Sequence, residues 1–136
     1  MTRNLKIKVL IIDQSKLIRQ TLERILLSDQ EIITVIVASE PFIAEHKIKA
    51  MFPDVVIMDV ETPSLDGVTF LKKLIESYSI PVIVCSRVVN KNFGISYNKQ
   101  HSKRMQVIPK PKTNVTGYLE ETKQEIREMV KEAAEF

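Results

Sequence analysis

The sequence has few of the residues that would mark several common classes of protein. Its single cysteine, Cys85, excludes an internal disulfide. Aromatic residues make up only 6% of the chain, and no aromatic platform for stacking nucleic-acid bases is present. No apolar run is long enough to cross a bilayer, and no signal-peptide pattern follows the charged N-terminus. These absences predict a cytoplasmic protein with no membrane or nucleic-acid partner.

Acidic residues are missing from one long stretch of the chain, between Glu76 and Glu120. The basic residues of that stretch are Arg87, Lys91, Lys99, Lys103, Arg104, Lys110 and Lys112. The net charge of the whole chain is only +3, so we expect one flank to be basic. Because no recognition-helix signature accompanies the charge, this flank is either a docking surface for an acidic partner or an ordinary solvated face.

Short apolar runs alternate with segments of helical period. The apolar, β-branched runs predict five strands, at about 6–13, 32–38, 54–59, 81–86 and 105–109. Apolar residues at helical spacing predict helices after the first three strands and one long C-terminal helix at about 117–135. Segment 87–104 has no clean apolar stripe and predicts an irregular fourth helix region. The length suits one domain, 1–136, with its own core.

Local signals predict where the first two helices begin. Ser15 is placed to cap the first helix, because a serine hydroxyl can accept a free N–H of the first turn. Ser39 is expected to cap the second helix, with Pro41 in its first turn, where the missing N–H costs little. His46 lies four residues after Phe42, so we expect it on or beside the buried stripe of that helix.

Strand–helix alternation of this kind predicts an α/β fold, a doubly wound five-stranded parallel sheet with helices on both faces. Ligands of such sheets bind outside the carboxyl ends of the strands. Polar residues end four of the predicted strands: Asp13, Asp59, Ser86 and Lys110. We therefore expect two carboxylates, a hydroxyl and an ammonium group to meet at one shallow site.

These groups suit the formation of an aspartyl phosphate. A carboxylate can attack a phosphoryl donor, and Asp59 is the best candidate because it ends a central strand and precedes a turn-rich loop. Carboxylate oxygens also bind Mg²⁺, which together with Lys110 would neutralise the phosphoryl charge, while the Ser86 hydroxyl would donate a hydrogen bond. The alternative is structural, since an aspartate after a strand is often an Asx turn or a helix cap.

Four segments resemble the motifs of response-regulator receiver domains, which have a flavodoxin-like fold. They are "IIDQS" for the acidic pair, "IMDVETPSLDG" for the phosphoacceptor strand and loop, "VIVCS" for the switch hydroxyl and "PKP" for the lysine–proline motif. The resemblance implies that Asp59 accepts phosphate from a histidine kinase. It implies that Asp13, Asp59 and the backbone carbonyl of Glu61 bind Mg²⁺. It also implies that Ser86 and Lys110 act on the phosphoryl group, and that the Lys110–Pro111 peptide is cis.

The segment "DVETPSLDGVTFLKKL" is similar, within this family, to the N-terminal receiver of the chemotaxis protein-glutamate methylesterase. This resemblance implies a histidine kinase of a chemotaxis-type system as one partner. The other partner would be an output esterase domain, or another protein, that docks at the face formed by 87–130. No Ser/His/Asp catalytic block follows Lys112, so we expect no enzyme activity from this chain, which is either an excised receiver or a stand-alone protein.

Three residues depart from the family pattern. Gln14 stands where a second acid usually contacts Mg²⁺, and its neutral amide oxygen should weaken metal binding. Val107 stands in place of the usual switch aromatic. Arg87 follows Ser86 where a small residue is common, and it would either crowd the phosphate or balance its charge. The departures favour an alternative, a pseudo-receiver that acts as an interaction module with weak or no Mg²⁺-dependent phosphorylation. A phosphatase-type hydrolase is disfavoured, because so short a chain has no cap domain.

Overall fold

The computed structural model describes residues 6–61, 67–87 and 104–135 of the chain. Its strands are β1 (Ile7–Ile12), β2 (Ile32–Ala38), β3 (Val55–Met58), β4 (Val82–Ser86) and β5 (Met105–Pro109). Its helices are α1 (Lys16–Leu27), α2 (Pro41–Ala50), α3 (Gly67–Glu76), α4 (Val115–Glu121) and α5 (Lys123–Ala133). The strands lie within one residue of the ranges expected from the sequence. Most of the segment expected to hold an irregular fourth helix lies outside the described residues.

All five strands are parallel and form one sheet in the order β2-β1-β3-β4-β5. Alternate side chains of a strand face opposite sides of the sheet. Val9 and Ile11 of β1 therefore pack in the core formed with α1, α4 and α5, whereas Leu10 and Ile12 pack in the core formed with α2 and α3. The predicted α/β doubly wound fold is thus confirmed, with one apolar core on each face.

Helix α1 begins as the sequence predicts, and α2 does not. The Ser15 hydroxyl accepts a hydrogen bond from the backbone N–H of Ile18 at 3.2 Å, which satisfies one free donor of the first turn of α1. The residue that precedes α2 is Glu40, in an extended conformation and with no side-chain cap bond. The prediction that Ser39 caps this helix is therefore wrong by one residue, because the extended backbone continues through Glu40 to Pro41.

His46 is exposed, so its predicted place on or beside the buried stripe of α2 is also wrong. The buried face of this helix is formed by Pro41, Ala44 and Ile48. His46 instead meets the ring of the exposed Phe42 edge-on, with 5.0 Å between the ring centroids.

None of the helices in the described ranges is long and apolar enough to span a membrane.

The C-terminal helix, predicted as one element, is divided into α4 and α5 at Thr122. The hydroxyl of Thr122 donates to the carbonyl of Tyr118 at 2.9 Å, and the backbone of Thr122 leaves the helical region. A threonine hydroxyl that bonds the carbonyl four residues back often bends a helix, and the bond lies at the point of division. Both helices still bury an apolar face, formed by Leu119, Ile126, Val130 and Ala133.

Gly67, the first residue of α3, allows the helix to pack against the loop that follows β3. A Cβ atom at this position would lie 2.0 Å from the carbonyl oxygen of Val60 and 2.6 Å from its carbonyl carbon. Backbone atoms cannot retreat from such a contact without moving the loop. The absence of a side chain at Gly67 therefore lets the first turn of α3 lie against the backbone of Val60, the residue that follows Asp59.

We expect Gly67→Ala to lower the free energy of unfolding by about 2 kcal/mol, the usual cost of overpacking a buried site. Gly117→Ala in α4 is the matched control, because its Cβ would meet the Asn114 side chain, which can move. The gain in helix propensity should keep the control within about 1 kcal/mol of the wild type. Urea unfolding measures both variants. Equal stability of Gly67→Ala and the wild type would contradict the packing argument.

Candidate functional site

Backbone pairing brings the ends of the strands to one edge of the sheet. The N–H of Asp59 donates to the carbonyl of Ile12 at 3.0 Å, so Asp59 lies beside Asp13. The N–H of Lys110 donates to the carbonyl of Ser86 at 3.2 Å, which brings β5 to the same level as β4. The parallel register therefore places residues that are far apart in the sequence around one site.

Lys110 connects the two aspartates. Its Nζ atom lies 2.6 Å from Oδ2 of Asp13 and 2.6 Å from Oδ2 of Asp59, and only 3% of its side chain is exposed. Burial by itself lowers the pKa of Lys110, but the hydrogen bonds that it donates to Asp13 and Asp59 outweigh this effect, and the pKa lies above its ordinary value. The peptides of the described residues are all trans, so the predicted cis bond between Lys110 and Pro111 is wrong. Lys110 reaches both carboxylates while its peptide bond to Pro111 is trans, the isomer that most prolyl bonds adopt.

The second oxygen of each carboxylate holds the turn that follows its strand. Oδ1 of Asp13 accepts the N–H of Ser15 at 2.9 Å, and Oδ1 of Asp59 accepts the N–H of Glu61 at 2.8 Å. Both contacts are Asx turns, the structural alternative considered above. Each aspartate thus has a structural contact through Oδ1 and a contact within the site through Oδ2, and the turn fixes the direction of the carboxylate.

Arg19 is a residue of the site that sequence reasoning missed. Its Nη1 atom donates to the backbone carbonyl of Asp13 at 2.7 Å and to that of Gln14 at 3.1 Å. The side chain folds back from α1 and braces the loop between β1 and α1. The only signal in the sequence is a basic residue one turn into the helix, and its reach depends on a rotamer that spacing does not specify.

A cleft of about 440 Å³ opens above Lys110 and the two carboxylates. It is lined by Asp13, Gln14, Ser15, Ile18, Asp59, Glu61, Arg87 and Lys110. Five of the predicted site residues therefore share one cleft. The exposed Gln14 and Arg87, which depart from the receiver pattern, lie in the same lining.

Ser86 is the predicted site residue that does not join this lining within the described parts of the chain. Its side chain is fully buried. The alternation of β4 places it on the side of Val82 and Val84, which pack in the core formed with α2 and α3. Val107 packs against the same core. The register thus puts Ser86 at the level of the site, where its buried side chain is not part of the cleft lining.

Cys85 faces the side of the sheet that carries Asp13 and Lys110. Burial raises the pKa of its thiol to about 12, although the positive charge of Lys110 acts in the opposite direction. A thiol with such a pKa stays protonated at neutral pH and is a poor nucleophile. Cys85 packs in the core with Ile83 and Ile108, as a small apolar residue.

The donor atoms of the cleft fit Mg²⁺, the cation that the resemblance implies. The carboxylates of Asp13 and Asp59 both contact the Lys110 ammonium group and both line the cleft, so a single cation in the cleft can reach both carboxylates. Mg²⁺ is usually held by one or two carboxylates and keeps several waters. A larger cluster is thus unnecessary, and the described residues contain no group of three or more His, Cys, Asp or Glu suited to a metal. The carbonyl of Glu61 would be a third donor, and Gln14 offers only a neutral oxygen.

The fold and the site together define a doubly wound α/β domain with two carboxylates and a lysine at the carboxyl edge of a parallel sheet. A sequence profile of the response regulator receiver domain matches residues 9–117. The chain therefore belongs to the response-regulator receiver family. The response regulator domain of Thermotoga maritima CheB has the same fold, with a TM-score of 0.82 and 26% sequence identity over 96% of this chain and 98% of that one.

Within the family, the chain is related to the N-terminal receiver of CheB methylesterases. It is 41% identical over 130 residues to protein-glutamate methylesterase/protein-glutamine glutaminase 2 of Chromobacterium violaceum. It is also 41% identical over 128 residues to the protein of the same name in Oleidesulfovibrio alaskensis. These matches cover 96% and 94% of this chain but 36% of each relative. The chain thus spans about a third of the length of the curated relatives it matches.

We expect Lys110→Met to lower the free energy of unfolding by about 3 kcal/mol at pH 7, because it leaves two facing carboxylates without their cation. The raised pKa of Lys110 means that this contribution is present below the ordinary lysine pKa and is lost only as the pH rises through the folded-state value.

The exposed Lys112 provides the control for this prediction, since Lys112→Met should change stability by less than about 0.5 kcal/mol. Urea unfolding at a series of pH values measures the two variants beside the wild type. Equal stability of the two variants at pH 7 would show that Lys110 does not hold the aspartates together.

Proposed function

We propose that this chain is a phosphorylatable receiver that takes a phosphoryl group on Asp59 from a histidine kinase of a chemotaxis-type system. The observation that carries the proposal is the contact of Lys110 with both Asp13 and Asp59 beneath an open cleft. It combines a nucleophile, a second carboxylate and a fixed cation, as phosphoryl transfer to a carboxylate requires. Membership of the receiver family supports the same reaction.

In the proposed reaction, Oδ2 of Asp59 attacks phosphorus, because Oδ1 is held by the N–H of Glu61. The new O–P bond forms as the P–N bond of a phosphohistidine breaks, and the imidazole leaves with the bonding electrons. Lys110 loses its ion pair with the Asp59 carboxylate and donates to a phosphoryl oxygen instead. Asp13 keeps the ammonium group in place throughout this exchange.

A bound Mg²⁺ would neutralise phosphoryl charge and orient the phosphoryl oxygens. The residues that would hold it are Asp13, Asp59 and the carbonyl of Glu61. Asp13 is well placed for this role because its carboxylate is oriented by Ser15 and its backbone by Arg19. Gln14 could add its amide oxygen from the rim of the cleft.

Ser86 and the face of 87–130 would transmit the signal. We infer that the Ser86 hydroxyl turns toward the phosphoryl group, which would change the packing of Val107 on the neighbouring strand. The partner is an output esterase domain, or another protein, that docks at this face. Support comes from the curated relatives, which are protein-glutamate methylesterases about three times the length of the match.

Treatment with phosphoramidate and Mg²⁺ should add one phosphoryl group to the wild type, detected by intact-mass spectrometry. Asp59→Asn is the matched control and should gain none, because an amide cannot form the acyl phosphate. Peptide mapping after borohydride reduction locates the adduct. An unmodified wild type, or an equal adduct on Asp59→Asn, would refute the proposed function.

The second candidate function is a pseudo-receiver, an interaction module with weak or no Mg²⁺-dependent phosphorylation. It is favoured by Gln14, which lines the cleft and brings no charge to the metal. Isothermal titration distinguishes the candidates, since Gln14→Asp should bind Mg²⁺ about tenfold more tightly than the wild type if residue 14 faces the metal. Equal affinities would show that this position does not face the metal. Absence of phosphorylation in both proteins would favour the pseudo-receiver.

A further inference from the structure

We propose that Arg87 and Lys110 together form a fixed cationic subsite for the phosphoryl group, so that phosphorylation of Asp59 depends only partly on a divalent cation. The inference rests on the proposed function, because it concerns the same reaction at Asp59. It arises from two residues in the lining of the cleft, the neutral Gln14 and the cationic Arg87.

The position of Arg87 suits contact with the phosphoryl group. It directly follows β4, and β4 pairs with β3, the strand that carries Asp59 at its end. Arg87 is the first residue past the end of β4, at the carboxyl edge of the sheet where Asp59 and Lys110 also lie. The Arg87 side chain is exposed and lines the cleft together with Asp59 and Lys110.

The charges of the cleft differ from those of a site built around a metal ion. Three carboxylates, Asp13, Asp59 and Glu61, face two cations, Arg87 and Lys110, in its lining. Changing Gln14 to aspartate and Arg87 to alanine would make the lining more negative by two charges. One Mg²⁺ carries two positive charges. Relative to a cleft with aspartate at position 14 and alanine at position 87, Gln14 and Arg87 together therefore make the lining more positive by as much as one bound Mg²⁺ would.

The reaction creates the charge that this subsite would hold. When Asp59 attacks phosphoramidate, an O–P bond forms, the P–N bond breaks and the nitrogen leaves as ammonia with the bonding electrons. The carboxylate anion becomes a phosphoryl group close to a dianion. A guanidinium group can donate two parallel hydrogen bonds to such a group, which an ammonium group alone cannot do.

The test compares four proteins: the wild type, Gln14→Asp, Arg87→Ala and the double variant. Each is treated with phosphoramidate in Mg²⁺ and in EDTA, and intact-mass spectrometry follows the rate at which the adduct forms. The wild type should retain a measurable rate in EDTA, and Arg87→Ala should reduce that rate about tenfold or more. The ratio of the Mg²⁺ rate to the EDTA rate should rise with each substitution and be largest for the double variant.

A second measurement does not depend on the reaction. Isothermal titration should show that Arg87→Ala binds Mg²⁺ more tightly than the wild type, because the nearby positive charge has been removed. Arg87→Lys keeps the charge but not the planar fork, so it should keep the metal affinity of the wild type and part of the EDTA rate. Thermal unfolding monitored by circular dichroism confirms that every variant is folded.

The outcomes separate this inference from the proposed function. Adduct formation on the wild type in Mg²⁺ with none in EDTA, or the same ratio of rates in all four proteins, overturns the role of Arg87 and leaves the receiver function standing. An unmodified Asp59 in every protein and condition overturns both. A reduced EDTA rate in Arg87→Ala that Arg87→Lys partly restores supports the subsite.

Discussion

The contact of the Lys110 ammonium group with Asp13 and Asp59 is the interaction on which the site depends. The three residues follow β5, β1 and β3, so the lysine reaches across the end of β4 to the ends of two strands that do not pair with its own. Two carboxylates that contact the same ammonium group would repel each other without it. The positive charge of Lys110 therefore makes their approach favourable in a largely buried setting. The contact therefore depends on the observed pairing of β1, β3, β4 and β5.

Each aspartate uses its two carboxylate oxygens for different contacts, which explains how side chains at the start of loops are held in a fixed orientation. The Asx turns through Oδ1 fix the carboxylates of Asp13 and Asp59 relative to the backbone, while Oδ2 remains for the chemistry. Arg19 braces the first turn from α1, and Gly67 lets α3 pack against the second. A structural role for Asp13 and Asp59 is thus compatible with the proposed functional one, because the contact of Oδ1 with the backbone also fixes the direction of Oδ2.

The electrostatic balance of the cleft distinguishes this receiver from a site dominated by acids. Gln14 contributes an oxygen without a charge, and Arg87 adds a cation to the same lining. Ser86 lies at the level of the site but on the other face of β4, next to the core that also contacts Val107. The end of β4 therefore carries two adjacent residues with different surroundings: Ser86 is buried, and Arg87 lines the cleft.

The sequence by itself determined the order of strands and helices, the parallel sheet, and the candidates Asp13, Asp59 and Lys110. Apolar periodicity and strand-end polarity are local properties, so they can be read along the chain. Only the tertiary structure decided that the Ser86 side chain is buried outside the cleft lining, that Arg19 braces the first turn, and that the C-terminal helix divides at Thr122. These features depend on rotamers, on strand register and on single hydrogen bonds, which form only when residues distant in the sequence are brought together.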